Sequence, residues 1–413
     1  MKSRVHTLLL VAIVLTAAPA GADTEFEGQT AGGAFFKAIV PDGWSNGDLV
    51  ISNHGFSLRP IGPDFEEELF LPLDVLLADG FAVAASSYRQ IGWALFKTDR
   101  DLELMVEAFR QRFGAPGRII LTGESLGGIV TASALERANL GNVVGAFTLC
   151  GAMAGSRNWD GFLDLRLLYD AICAGVPGAE IPGGPTGLPR NSDLTEDQVL
   201  AALNACTGLA VSKSQRTKAQ RRRLRRLVKL SRFPKEFLPQ DMISVTFGLP
   251  DLIYDRRKLR GKQGIGNDEV DYGKAKINAK IERVAARRKA ARRLRRNFTP
   301  EGDVGDAKIM NLHTDKDGLV IVENQREYQD VVPEEQLVVG IVREQTPSHC
   351  GFNPAEVLGP WMLFLDWLGG ADKPEPENLQ TACEEAAADF GGPCRFDPDF
   401  EIPDMDTRFR PRG

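Results

Sequence analysis

Apolar and polar positions along this chain follow two periods in turn. Short runs rich in Phe, Ile and Val predict strands at Ala34–Val40 and Asp48–Asn53, and further apolar runs predict strands at Phe81–Ser87, Arg118–Thr122 and Val143–Leu149. Between them, Leu102, Met105, Val106 and Phe109 recur at helical spacing and predict a helix over Thr98–Phe113. The small-residue stretch Leu126–Ala138 predicts another. Strand, helix and strand at this spacing build βαβ units, and so an α/β architecture with a mostly parallel sheet flanked by helices. The alternation stops near Ser156 and resumes near Ala307. Ala307–Leu312, Glu323–Val331, Gln336–Val342 and Pro354–Leu368 then read strand, helix, strand, helix. Residues 23–155 and 301–369 are therefore expected to form one sheet domain, interrupted by a mostly helical insertion over 156–300. Residues 370–413, rich in Pro, Asp and Glu, are expected to wrap the surface. No internal repeat is visible.

The first residues follow a different rule. Lys2 and Arg4 precede an apolar run from Leu8 to Ala18, and Ala20 and Ala22 follow. A basic start, a short apolar stretch and an A-x-A site predict a secretory signal peptide over 1–22, and a periplasmic or extracellular mature protein. The run is shorter than the ~18 apolar residues of a membrane span, and no later stretch reaches that length. Export bears on the six cysteines, all of which lie beyond residue 22. An even number in an oxidising compartment favours disulfides, and none has the C-x-x-C spacing of a zinc site. Proximity in sequence suggests Cys383 with Cys394 and Cys173 with Cys206, which leaves Cys150 with Cys350. Six cysteines permit roughly fifteen pairings, so other connectivities and free thiols stay open.

Apolar residues make up 43% of the 413-residue chain, enough for a real core. Charge is segregated. Residues 211–300 hold 27 Lys/Arg and 8 Asp/Glu, against a net charge of −6 for the whole chain. The basic residues gather in Lys218–Arg232 and Arg283–Arg296, both of which read as helical. Leu224, Leu227, Val228 and Ser231 form one apolar stripe; Ile277, Ile281, Val284, Ala291 and Leu294 form another. Such a segment reads first as solvated helix faces balanced by an acidic body. The sharper reading is a lid that docks on an anionic membrane or polymer surface. Nucleic acid is not expected, since no binding motif and little aromatic interleaving accompany the charge.

The chemistry concentrates in Gly123-Glu124-Ser125-Leu126-Gly127-Gly128. This is G-x-S-x-G placed after an apolar β run and before a helix, where a serine nucleophile sits on a sharp bend. The following helix would turn its positive end toward a developing oxyanion, with the Leu126 amide as one donor. A serine nucleophile needs a base. Of four histidines, His6 falls in the signal peptide, His54 precedes the bend, and His313 ends a strand. His349 follows the last predicted strand and fits the order serine, acid, histidine. The acid is expected in HTDKDGLV, at Asp317, with Asp315 as the alternative. His54-Gly55-Phe56 ends an early strand and offers the Phe56 amide as second oxyanion donor, the His54 side chain being structural. Tyr88, Trp93 and Trp159 are candidates for lining a substrate pocket, with packing an equal alternative.

From Ala34 to Leu368, outside the insertion, the chain resembles secreted bacterial α/β-hydrolases related to lipases, esterases and polyester depolymerases. The resemblance is carried by Val40–Trp44, Ser86–Trp93, GESLGG, Leu149–Gly151, HTDKDGLV and His349–Phe352. It implies an α/β-hydrolase fold and a covalent acyl-enzyme on Ser125. Ester hydrolysis by such a serine requires no cofactor and no metal, and the large helical insertion suggests an ester substrate with an apolar part, such as an aryl ester, lipid or polyester. The resemblance also favours a Cys150–Cys350 bridge. The basic insertion and Glu124, where many members carry His or Tyr, depart from the pattern and leave the substrate open. Two other readings are a peptidase of the prolyl-oligopeptidase type and a non-catalytic protein that binds anionic surfaces on a hydrolase scaffold.

Overall fold

A computed structural model describes residues 23–61, 71–189 and 191–412. The expected signal peptide lies outside the described residues. Among them, eight strands form one sheet: β1 (Thr24–Gln29), β2 (Phe35–Val40), β3 (Leu49–Asn53), β4 (Ala82–Ser86), β5 (Ile119–Glu124), β6 (Val143–Leu149), β7 (Lys308–Thr314) and β8 (Leu337–Val342). The helices are α1 (Leu73–Ala78), α2 (Thr98–Phe113), α3 (Leu126–Arg137), α4 (Asn158–Cys173), α5 (Glu196–Thr207), α6 (Lys218–Ser231), α7 (Leu238–Tyr254), α8 (Ala275–Asn278), α9 (Arg288–Arg295), α10 (Asn324–Gln329), α11 (Pro354–Leu368) and α12 (Pro376–Phe390).

The strand order is β1-β2-β4-β3-β5-β6-β7-β8. β1 and β2 run antiparallel to their neighbours, and β4 to β8 with β3 run parallel. Alternation along each strand feeds two cores. Leu49, Ile51, Ile119 and Leu121 join Val106 of α2 and Ile129 of α3 on one face. Val50, Ile120, Phe147 and Met310 join Trp361 and Phe364 of α11 on the other. The Phe147 and Trp361 rings meet edge to face at 5.4 Å. Fully burying each such aromatic contributes about 2–3 kcal/mol.

The stretch between β6 and β7 carries α4 to α9. Helices α5 and α6 each start at a T-x-x-Q capping box, Thr195/Gln198 and Thr217/Gln220, which satisfies amides that a helix start leaves open. On α6, Leu224, Leu227 and Ser231 are buried with Leu230, while Lys218, Arg222, Arg225, Arg226 and Lys229 form its outer face. The helix expected over Arg283–Arg296 is shorter. Residues 281–287 instead run beside the loop 263–267, with Asn267 N bonded to Val284 O at 2.9 Å and Arg287 N to Gln263 O at 2.9 Å. These bonds to the loop take the place of helical ones over 283–287. Several arginines turn back onto carbonyl oxygens: Arg216 Nε onto Gly208 at 2.7 Å, Arg223 Nε onto Cys206 at 2.7 Å and Arg293 Nε onto Lys258 at 2.6 Å.

The tail is more structured than its composition suggests. Helix α12 packs on α11 so closely that a side chain on Gly359 would lie 2.3 Å from Ala382 O. The chain then runs beside β8, with Arg343 N bonded to Arg395 O at 2.8 Å. Residues 404–412 cross onto the insertion. Phe409 stacks on Phe233 at 5.8 Å, and Arg410 Nη2 donates to Leu230 O at 2.6 Å. Arg412 Nη2 donates to Asp164 Oδ1 at 2.9 Å.

All six cysteines are paired: Cys150–Cys350, Cys173–Cys206 and Cys383–Cys394, with Cα separations of 5.4, 5.6 and 5.8 Å. The first closes the longest loop, 200 residues. Replacing Cys150 and Cys350 together by Ala is expected to lower the unfolding free energy by about 2–5 kcal/mol, more than the same change at Cys383 and Cys394. Denaturant unfolding of the two double variants checks the order.

Candidate active site

The β5–α3 junction bends because its glycines leave room. Ser125 has φ 52° and ψ −119°, a strained conformation for a residue with a side chain. A Cβ on Gly123 would lie 2.3 Å from Gly127 O, and one on Gly127 would lie 1.8 Å from Asn53 O. A Cβ on Gly128 would lie 2.5 Å from Gly151 Cα. Helix α3 can therefore start directly under β3 only with no side chain at these positions. Ser125 N donates to Leu149 O at 3.0 Å, and Ser125 O accepts from Ala152 N at 3.0 Å, which fixes the bend to the end of β6.

Asp317 and His349 lie on the loops after β7 and β8. His349 Nδ1 donates to Asp317 Oδ2 at 2.7 Å. Asp317 Oδ1 accepts from Leu319 N and Val320 N, both at 2.9 Å, so the carboxylate is fully engaged and buried. With Nδ1 donating, Nε2 is the nitrogen left to accept a proton. Burial pulls the His349 pKa down, but the charge and hydrogen bond of Asp317, helped by Glu124 and Glu344, outweigh it and raise it above 6.5. Asp315 is engaged elsewhere, accepting Glu344 N at 2.7 Å. Ser125 and His349 do not hydrogen-bond each other in this arrangement; His349 Nε2 lies 3.6 Å from Cys350 Sγ.

His313 belongs to a buried polar ladder that holds the Asp317 loop. Thr148 Oγ1 donates to Asn311 Oδ1 at 2.6 Å, Asn311 Nδ2 to Gln325 Oε1 at 3.1 Å, and Gln325 Nε2 to His313 Nδ1 at 2.9 Å. His313 Nε2 then donates to Val320 O at 2.7 Å. Burial lowers the His313 pKa, so the ring is neutral and structural.

The end of β3 lies beside Ser125: a Cβ on Gly55 would be 3.6 Å from Ser125 Cβ. Phe56, Trp93, Leu126, Trp159, Phe162 and Val320 line an apolar cavity of about 60 Å³ that Ser125 also lines. Trp93 and Trp159 meet edge to face at 5.8 Å. Tyr88 does not line this cavity. Its ring stacks on His54 at 4.0 Å and its hydroxyl donates to His54 O at 3.3 Å, behind the β3 end. His54 Nδ1 donates to Gly55 O at 2.8 Å, and burial lowers the His54 pKa to about 4. Tyr88 thus props the loop, a role its position after β4 permits as readily as pocket lining. Tyr88, Cys150 and Cys350 share positive φ with Ser125, at 51°, 43° and 53°.

Sequence reasoning assigns no role to two residues near the Asp317–His349 pair. Asp241 of α7 is buried, with no hydrogen-bond partner for either oxygen. Burial, then the nearby Asp317 charge, raises its pKa well above 3.8, which favours the protonated form. Its one sequence signal is an acid within a mostly apolar helical stretch. Glu124 is visible in the motif, but its electrostatic reach to His349 is not. Among the described residues, Cys150, Asp317, His349 and Cys350 bring donor atoms within 4.8 Å of one another. The two sulfurs are joined to each other, which leaves only the Asp–His pair as donors.

An eight-stranded sheet in this order, with a strained serine between the central strand and its helix, defines the α/β-hydrolase fold. No protein-family model matches the chain, and no curated protein matches it. Solved structures similar to it include lipase A from Candida antarctica, at 13% identity over 94% of this chain and 84% of the lipase, with a TM-score of 0.43. An esterase from Aspergillus oryzae is 13% identical over 90% of this chain and 89% of the esterase, with a TM-score of 0.47. An acylaminoacyl peptidase from Pyrococcus horikoshii is 10% identical over 87% of this chain, with a TM-score of 0.42. The chain spans 43% of that peptidase's length.

Gly127→Ala puts a methyl group into Asn53 O and must move α3 or β3. It is expected to destabilise the protein by about 3 kcal/mol or more and to abolish turnover. Thermal unfolding and an ester assay on the soluble fraction check both.

Proposed function

We propose that this protein is an exported serine hydrolase that cleaves carboxylic esters through an acyl-enzyme. The observation that carries the reading is a strained Ser125 lining an apolar cavity at the sheet edge that also bears the His349–Asp317 pair. Ser125 Oγ attacks the ester carbonyl while His349 Nε2 takes its proton. The tetrahedral oxyanion is held by the amides of Phe56 and Leu126. As the C–O bond to the alcohol breaks, His349 returns the proton to the leaving oxygen. Water then repeats the sequence on the acyl-enzyme, releasing the acid and restoring Ser125. Asp317 orients the ring and stabilises the imidazolium. A catalytic hydrogen bond between Ser125 and His349 would form in the substrate complex, as such bonds often tighten only there.

The cavity supports a compact apolar acyl group. Its volume holds roughly four water-sized groups, enough for a few carbons. The roof comes from the insertion, where Trp159 and Phe162 of α4 and Ser244 of α7 line the cavity, and this supports a lid role for the segment. Three disulfides and the N-terminal charge and apolar pattern support export.

Ser125→Ala is expected to lower kcat/KM for p-nitrophenyl acetate and butyrate by about 10⁴-fold or more. Wild type is expected to favour these over the decanoate. Turnover unchanged in the variant rejects the nucleophile.

His349 must be neutral to act. The acid limb of kcat/KM should therefore have its midpoint above 6.5, with activity lost as pH falls through it. Glu124→Gln removes a nearby negative charge and should move that midpoint down. A pH–rate profile of both proteins reads the shift, and a midpoint that moves up contradicts the assignment.

A further inference from the structure

A second cavity lies away from Ser125. It is a cleft of about 700 Å³ between α9, the loop 264–270, the first turn of α4 and the end of the tail. Arg288, Arg292 and Arg295 line it. They fall at i, i+4 and i+7, which places them on one helix face over about 10 Å. Among the described residues, none of the three has an ion-pair or side-chain hydrogen-bond partner. Their neighbour Arg293 differs: it is tied to the carbonyls of Lys258 and Arg257 and holds α9 in place.

The other charges around the cleft fall into two groups. Arg157 and Arg412 are already matched, by Asp406 at 2.6 Å and Asp160 at 3.3 Å. Asp268 and Glu269 also line it, exposed, and make no ion pair with the α9 arginines. The floor is apolar, from Ile265, Val270 and Leu294. A solvated charge run needs no cavity. Here the run lines one, and concave walls of low dielectric concentrate its potential. Three aligned guanidinium groups repel one another, and a bridging anion that takes forked hydrogen bonds relieves that repulsion. Recessed walls suit a discrete molecule better than a flat surface.

We infer that this cleft binds an oligophosphate-class anion, with two or three anionic groups spread along the α9 arginine row. The inference is independent of the ester chemistry. The cleft meets Ser156, Arg157 and Asp160 at the start of α4, whereas Asn158, Trp159 and Phe162 of the same helix line the Ser125 cavity.

The test is calorimetric titration of the full protein with tripolyphosphate at low salt. Saturable binding at one site is expected. Arg292→Ala with Arg295→Ala should weaken it by about tenfold or more, since two charge-assisted contacts are lost. Arg222→Ala, Arg225→Ala and Arg226→Ala together, on the outer face of α6, should leave it unchanged. Asp268→Asn with Glu269→Gln should tighten it. These positions are exposed and ala or isosteric changes there preserve the fold, which circular dichroism verifies. Absence of saturable binding, or equal weakening by the α6 variant, overturns the inference. So does binding to phosphatidate vesicles without binding to tripolyphosphate, because that result describes a docking face and not a cleft.

Discussion

The close approach of α3 to the end of β3 is the constraint on which this molecule is arranged. Gly127 sits under Asn53 with no space for a methyl group, and Gly123 sits equally close to Gly127 O. Those contacts set where the first turn of α3 begins, and that turn sets the direction of the Ser125 side chain. The unfavourable φ of Ser125 is held because its amide and carbonyl are both bonded to the end of β6 and the residues after it. A strained residue persists only when its surroundings over-determine it. Here the surroundings are β3 and β6, which pair parallel with β5 on either side.

The second half of the site is held by polar contacts. Asp317 sits at the end of a ladder that starts at Thr148 in β6 and passes through Asn311, Gln325 and His313. Each member is buried, and each named bond is satisfied, so the ladder fixes a unique loop geometry. Asp241 is the exception. It brings an unpartnered carboxyl from the insertion against Asp317. The upward shift of its pKa opposes two charges near each other in a dry interior. The insertion and the core are thus joined at the least forgiving point, and the tail adds Phe409 and Arg410 from outside.

Much of this was legible in the sequence, for identifiable reasons. Helices α2 and α11 carry full amphipathic or apolar patterns with clear ends, and their predicted limits equal the observed ones. The GESLGG bend is readable because the steric demand itself selects glycine. Proximity in sequence suggested Cys173–Cys206 and Cys383–Cys394, and Cys150–Cys350 came only as the remaining pair, with other connectivities open until the structure paired them. Other elements were not legible. β1, Thr24–Gln29, has a single buried residue and so no alternation to detect. The α12 stretch looked like a polar tail because only Leu379, Cys383 and Ala386 are buried along it. The Arg283–Arg296 run carried helical spacing, but residues 283–287 bond to a loop and the helix begins at Arg288. Tyr88 shows the general limit: a residue after a strand end faces either the cavity or the loop behind it, and only the backbone decides. Asp241 and the α9 cleft depend on segments far apart in sequence meeting in space, which no local pattern encodes.

The Cys150–Cys350 bridge encloses the whole stretch between β6 and β7, together with β7 and β8. Its two ends bracket everything from α4 to β8 in one covalent ring. A protease that nicks any exposed turn within 151–349 therefore produces two polypeptides that stay joined. The cleaved molecule keeps its mass and, where packing allows, its shape, and it comes apart only in a reducing medium.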